Sequence, residues 1–114
     1  MALVWSIKNG DLEQVQTILE ESNVANNEID GRYPVHYAAD YGQYDVLKLL
    51  IDFGADVDKK DKHGITPLLA AIWEGHEKCV NLLLEKGASK DGTTLDGRPY
   101  HEAAENENIR KLLL

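Results

Sequence analysis

The chain has 114 residues, 43% hydrophobic and 28% charged, with a formal net charge of -8. That length is one domain's worth, and its apolar runs, Leu82-Leu83-Leu84 and Leu112-Leu113-Leu114 among them, fall far short of the ~20 residues that span a bilayer. The twelve Lys and Arg are scattered among twenty acids, which disfavours nucleic acid and anionic membranes and suits a basic protein surface. Met1-Ala2-Leu3-Val4-Trp5 shows no basic stretch and no small-residue cleavage pattern, so no signal peptide is expected. The lone Cys79 cannot form an internal disulfide, which fits a reducing cytoplasm or nucleus.

One interval organises the chain. Gly31, Gly64 and Gly97 are spaced by 33 residues, as are Pro34 and Pro67, Gly42 and Gly75, and Gly54 and Gly87. Gly10 lies 32 residues before Gly42. A fixed period of this size marks stacked repeats. Four units fill a single domain over residues 1–114, at about 1–23, 24–56, 57–89 and 90–114.

Unit one lacks the turn and the proline, and its outer helix carries Val15, Ile18 and Leu19. Unit two turns at Gly31 and starts an inner helix at Pro34, where a missing N–H is harmless. That helix passes through Ala38-Ala39 and ends at Gly42 in a left-handed turn. Leu47, Leu50 and Ile51 then form an outer helix that ends at Gly54. Unit three repeats the plan after a polar tip, Asp58 to His63, with Thr66 a better N-cap for Pro67 than Tyr33 is for Pro34. Its inner helix holds Ala70-Ala71 and ends at Gly75; its outer helix holds Val80, Leu83 and Leu84 and ends at Gly87. Unit four is shortened by roughly four residues between its helices and carries Ile109, Leu112 and Leu113. Each apolar set lies on one helical stripe that no unit can bury alone. The predicted fold is all-α: four stacked helix-turn-helix units with hairpin-like tips, atypical end units and a concave groove.

Chemistry of the catalytic kind is not expected. Cys79 reads as a small buried filler with no base or orienting acid beside it. None of His36, His63, His76 and His101 has a second ligand at metal spacing, so neither a metal nor a cofactor is expected. The informative residues are those that the repeat does not dictate. Lys8-Asn9, Asp40-Tyr41 and Trp73-Glu74 precede the inner-helix glycines and project along the groove. Ile29, Asp30, Arg32, then Lys62, His63, Ile65, then Leu95, Asp96, Arg98 flank the tip glycines. Tyr41 and Trp73 are read as lining up along the groove, 32 residues apart. Exposed aromatics and Arg are common interface anchors. Trp5 and Tyr37 share a register that either lines the groove or fills the inner-helix layer.

The runs Gly31-Arg32-Tyr33-Pro34-Val35-His36-Tyr37-Ala38-Ala39 and Gly64-Ile65-Thr66-Pro67-Leu68-Leu69-Ala70-Ala71 resemble the T-P-L-H-x-A signature of ankyrin repeats. In that family the ring at His36 ties neighbouring turns together, and His76 stands at a structural position. Trp5…Lys8-Asn9-Gly10-Asp11-Leu12, His36-Tyr37-Ala38-Ala39-Asp40…Gly42-Gln43, Asp61-Lys62-His63 and the Leu69 in place of the signature His are similar to the myotrophin branch of the family. That resemblance implies binding of the α/β heterodimer of actin capping protein, whose actin-binding surface is basic. Asp30, Asp40 and Glu74 would pair with its cations, and Trp5, Tyr41 and Trp73 would be apolar anchors. Rel-type transcription factors are the alternative partner. A monomer is expected, in the cytoplasm and also the nucleus.

Overall fold

The computed structural model describes residues 2–114; Met1, first residue of the first expected unit, lies outside them. The described residues form eight helices in four consecutive pairs. These are α1 (Ala2–Lys8) and α2 (Leu12–Glu21), then α3 (Pro34–Asp40) and α4 (Tyr44–Asp52). α5 (Pro67–Glu74) and α6 (Glu77–Glu85) follow, then α7 (Tyr100–Ala103) and α8 (Glu107–Leu113). The odd-numbered helices pack on one another as an inner layer and the even-numbered ones as an outer layer. The stack measures 40 × 25 × 21 Å, the elongated all-α solenoid that the period predicts. No helix among the described residues is long and apolar enough to cross a membrane.

Local chemistry sets the helix ends. The Thr66 hydroxyl accepts the Leu69 amide at 3.2 Å, a side-chain cap ahead of Pro67. Gly42 and Gly75 turn with φ of 67° and 73°. At Gly42 a second demand applies, since a Cβ there would lie 2.6 Å from His76 Nδ1. The His76 ring reaches back over this glycine to the Asp40 carbonyl at 3.0 Å. Gln43, one repeat earlier, does the same to the Lys8 carbonyl at 3.0 Å. These side chains stitch α4 and α6 each to the inner helix of the repeat before and satisfy carbonyls that a helix end leaves open.

The core joins the predicted outer-helix stripes to an inner-helix layer that includes Leu3, Ile7, Val35, Leu68 and Leu69. Val15, Leu19, Leu47, Leu50, Val80, Leu83, Ile109 and Leu113 are buried, and Ile18, Ile51, Leu84 and Leu112 are partly covered. Each fully buried Leu contributes about 1.5–3 kcal/mol. Cys79 is buried among them as a filler, and burial pushes its thiol up to about 11.

Unit four departs furthest from its neighbours. Tyr100 stands where Pro34 and Pro67 stand, and Pro99 becomes the N-cap. The Tyr100 ring is buried, and its hydroxyl meets Thr66 Oγ1 at 2.8 Å. α7 spans only four residues and ends in extended backbone at Ala104 instead of a glycine turn.

Candidate protein-binding surface

The second tip is joined to the third by polar groups. His36 is fully buried between them. Its Nδ1 accepts the Tyr33 amide at 3.1 Å, which places the proton on Nε2, where it is donated to the Ile65 carbonyl at 2.8 Å. The ring therefore ties two repeats together, as the signature implies. Burial holds it below the usual imidazole range, against the opposing bond to Ile65. Asp61, read in the sequence only as part of a polar tip, is buried. Its Oδ1 accepts the amides of His63 at 2.8 Å and Ile65 at 3.0 Å. Burial raises this carboxyl, but the Ile65 and His63 amides, with His36 and Arg32, outweigh it and hold it below the usual carboxylate range. An Asx-turn at Asp61-Lys62-His63-Gly64 is the local signal that marks it.

Arg32 and Asp40 are engaged with each other. Arg32 lies 3.3 Å from Asp40 and 3.5 Å from Asp61, so one guanidinium is shared between two carboxylates inside the chain. Tyr37 takes the second of its two expected places. It is 8% exposed, its hydroxyl donates to the Ile29 carbonyl at 2.9 Å, and Arg32 and Lys8 cover its ring at 5.1 and 5.7 Å. It belongs to the inner-helix layer. Lys8 also lies 5.3 Å from the centre of the Tyr41 ring, a cation–π contact that draws the ammonium over the aromatic pair.

The remaining expected residues lie at the surface. Trp5 is 62% exposed, Tyr41 47% and Trp73 45%. Asp30, Lys62, His63 and Glu74 are exposed and Ile65 is half-buried. The alignment of Tyr41 with Trp73 is off by one residue. The left-handed glycines put Trp73 in the register of Asp40, and Glu74 in that of Tyr41. Leu95, at the fourth tip, is 73% exposed. Among the described residues, no three His, Cys, Asp or Glu side chains converge as a metal site would need. What the arrangement provides is a rigid face with separated aromatic rings and unpaired carboxylates, the makings of a protein interface.

Comparison with known proteins agrees with this architecture. The family model for ankyrin repeats, in three copies, matches residues 3–94. Protein phosphatase 1 regulatory subunit 27 of Homo sapiens is 36% identical over 93 residues, covering 80% of this chain. The chain spans about 60% of that protein's length. Myotrophin of Xenopus tropicalis is 50% identical over 54 residues, 46% of each chain. Ankyrin repeat and SOCS box protein 2 of Homo sapiens is 35% identical over 91 residues, which cover 78% of this chain and 14% of that one. With its period, its stacked helix pairs and a family model matched over most of its length, the chain belongs to the ankyrin-repeat family.

Proposed function

We propose that this chain is a non-catalytic binding module of the myotrophin type, which holds the α/β heterodimer of actin capping protein and keeps it off filament ends. The observation that carries this reading is the exposure of Trp5, Tyr41 and Trp73, each within or at the end of successive inner helices, in a chain of net charge -8. A basic partner surface complements such a face, and desolvated aromatic anchors supply most of an interface's energy. The 50% identity to myotrophin over 54 residues supports the choice of partner. Competition with actin is then steric, since one basic surface holds one ligand. Charge complementarity makes association fast at low salt and slower as salt screens it.

A pull-down of recombinant capping protein at two salt concentrations, followed by barbed-end elongation with pyrene-actin, tests this. The chain restores elongation in capped samples, and Trp73→Ala weakens binding by about 1–3 kcal/mol. Absence of binding at micromolar concentrations rejects the reading. The match to protein phosphatase 1 regulatory subunit 27 over 80% of the chain favours one other partner, the phosphatase itself. The same pull-down with its catalytic subunit separates the two.

A further inference from the structure

We infer that a recess between α1 and the second-unit tip is a docking site for one arginine side chain of the partner. The inference rests on the protein-binding reading but not on which protein is bound. Val4, Trp5, Lys8 and Asp30 line this recess, which encloses about 250 Å³. Trp5 forms one wall and is largely open to solvent.

Asp30 is the uncommitted carboxylate at this spot. Among the described residues it has no ion pair, while Arg32 holds Asp40 and Asp61, and Arg98 and Thr94 hold Asp96 at the fourth tip. Asp11, on the far side of Trp5, spends its carboxylate on the Gln14 amide at 3.1 Å. Lys8 is the obvious internal partner for Asp30, yet it forms no ion pair and its ammonium lies over Tyr37 and Tyr41 instead.

The Asp30 backbone is held firmly. Asp30 and Gly31 have φ of 54° and 83°, and Ile29 and Arg32 exchange backbone hydrogen bonds of 2.7 and 3.1 Å around them. This is a two-residue hairpin turn of the type that favours Asp-Gly. The Lys62 amide donates to the Gly31 carbonyl at 2.9 Å and braces the turn against the next repeat.

An exposed indole beside an unpaired carboxylate recognises a cation. Arginine fits both groups better than lysine does: its planar guanidinium stacks on the indole while its fork of N–H donors meets the carboxylate. Val4 offers an apolar wall for the stem.

The test is a titration of the nitrogen-15-labelled chain with a blocked glycyl-arginyl-glycine peptide and with its citrulline and lysine counterparts. The Trp5 indole N–H resonance, assigned with Trp73→Phe, is the readout. The arginine peptide shifts it saturably, and both the citrulline peptide and Asp30→Asn weaken the apparent affinity by about tenfold. Asn-Gly suits the same turn, so Asp30→Asn keeps the fold, and Asp96→Asn binds as the parent does. Equal shifts from citrulline or lysine, or an unchanged Asp30→Asn, overturn the site. A parent chain that retains capping protein without loss in Asp30→Asn overturns the inference and leaves the partner standing. A chain that takes the arginine peptide but not capping protein does the reverse.

Discussion

The second and third repeats share a backbone and differ in what joins each to the next. Residues 33 apart occupy equivalent places: Arg32 and Ile65, His36 and Leu69, Tyr37 and Ala70, Asp40 and Trp73, Asp61 and Thr94. At the second repeat these are titratable or polar groups in one bonded network. At the third they are mostly apolar. Leu69 is buried where the His36 ring would be, and Thr94 Oγ1 takes the Arg98 amide at 3.1 Å as Asp61 Oδ1 takes that of Ile65 at 3.0 Å. One junction is specified by a network of satisfied hydrogen bonds and the other mainly by filled volume, with the Thr66–Tyr100 hydroxyl bond its buried side-chain polar link. The consequence reaches the surface. At the second repeat Arg32 and the first repeat's Lys8 cover Tyr37, and Arg32 pairs with Asp40, whereas the residue that replaces Asp40 in the third, Trp73, stays 45% exposed.

Breaking the apolar junction has the largest effect. Leu69→Ala removes a fully buried side chain and lowers unfolding stability by about 2–5 kcal/mol, read from urea denaturation. A loss below about 1 kcal/mol would show that the site collapses around the gap. His36→Leu makes the second junction imitate the third. It strands the Tyr33 amide and the Ile65 carbonyl and costs about 1–3 kcal/mol, less than the cavity at Leu69. If His36→Leu is neutral, apolar filling serves both junctions equally and the contrast between them has no energetic content.

The smallest effect is a slope in pH. The unfolded chain binds a proton at His36 near 6.5, and the folded chain only at lower pH, because burial disfavours the charged ring. Between those values the unfolded state holds more protons. The contribution is complete above pH 6.5 and is lost as pH falls through the folded value. Asp61 adds a second decline below pH 3.8, since its folded carboxyl titrates lower still. Stability measured from pH 7.5 to 5 should fall in the parent and stay flatter in His36→Leu. Equal slopes in the two would assign the decline to other groups.

Much of this was legible in the residues. Glycines and prolines at one interval located the turns of the first three units and both well-formed inner helices, because φ > 0 and a missing N–H restrict the chain locally. The stripes placed the outer-helix part of the core, because apolar residues at i, i+3 and i+4 share one helical face. Unit four was harder to read. Tyr100 in place of the expected proline carries no local signal that its hydroxyl bonds to Thr66 across the repeat boundary. The surface was legible only in part. Tyr41 and Trp73 are open as read and Trp5 takes the open one of its two alternatives, but no spacing rule reveals that Arg32 bridges Asp40 and Asp61 or that Lys8 abandons Asp30 for two tyrosines.

The sequence by itself determined the repeat, the helix limits, the buried stripes and the acidic charge, since each depends on backbone sterics or on residues within one or two helical turns. Only the tertiary structure decided which charges remain available. Arg32, Asp40 and Asp61 sit in two different repeats, and Trp5 and Asp30 line one recess although α2 separates them in the chain. Such pairings depend on how stacked units face each other, because electrostatic and cation–π contacts act over a few ångströms of space regardless of separation along the chain.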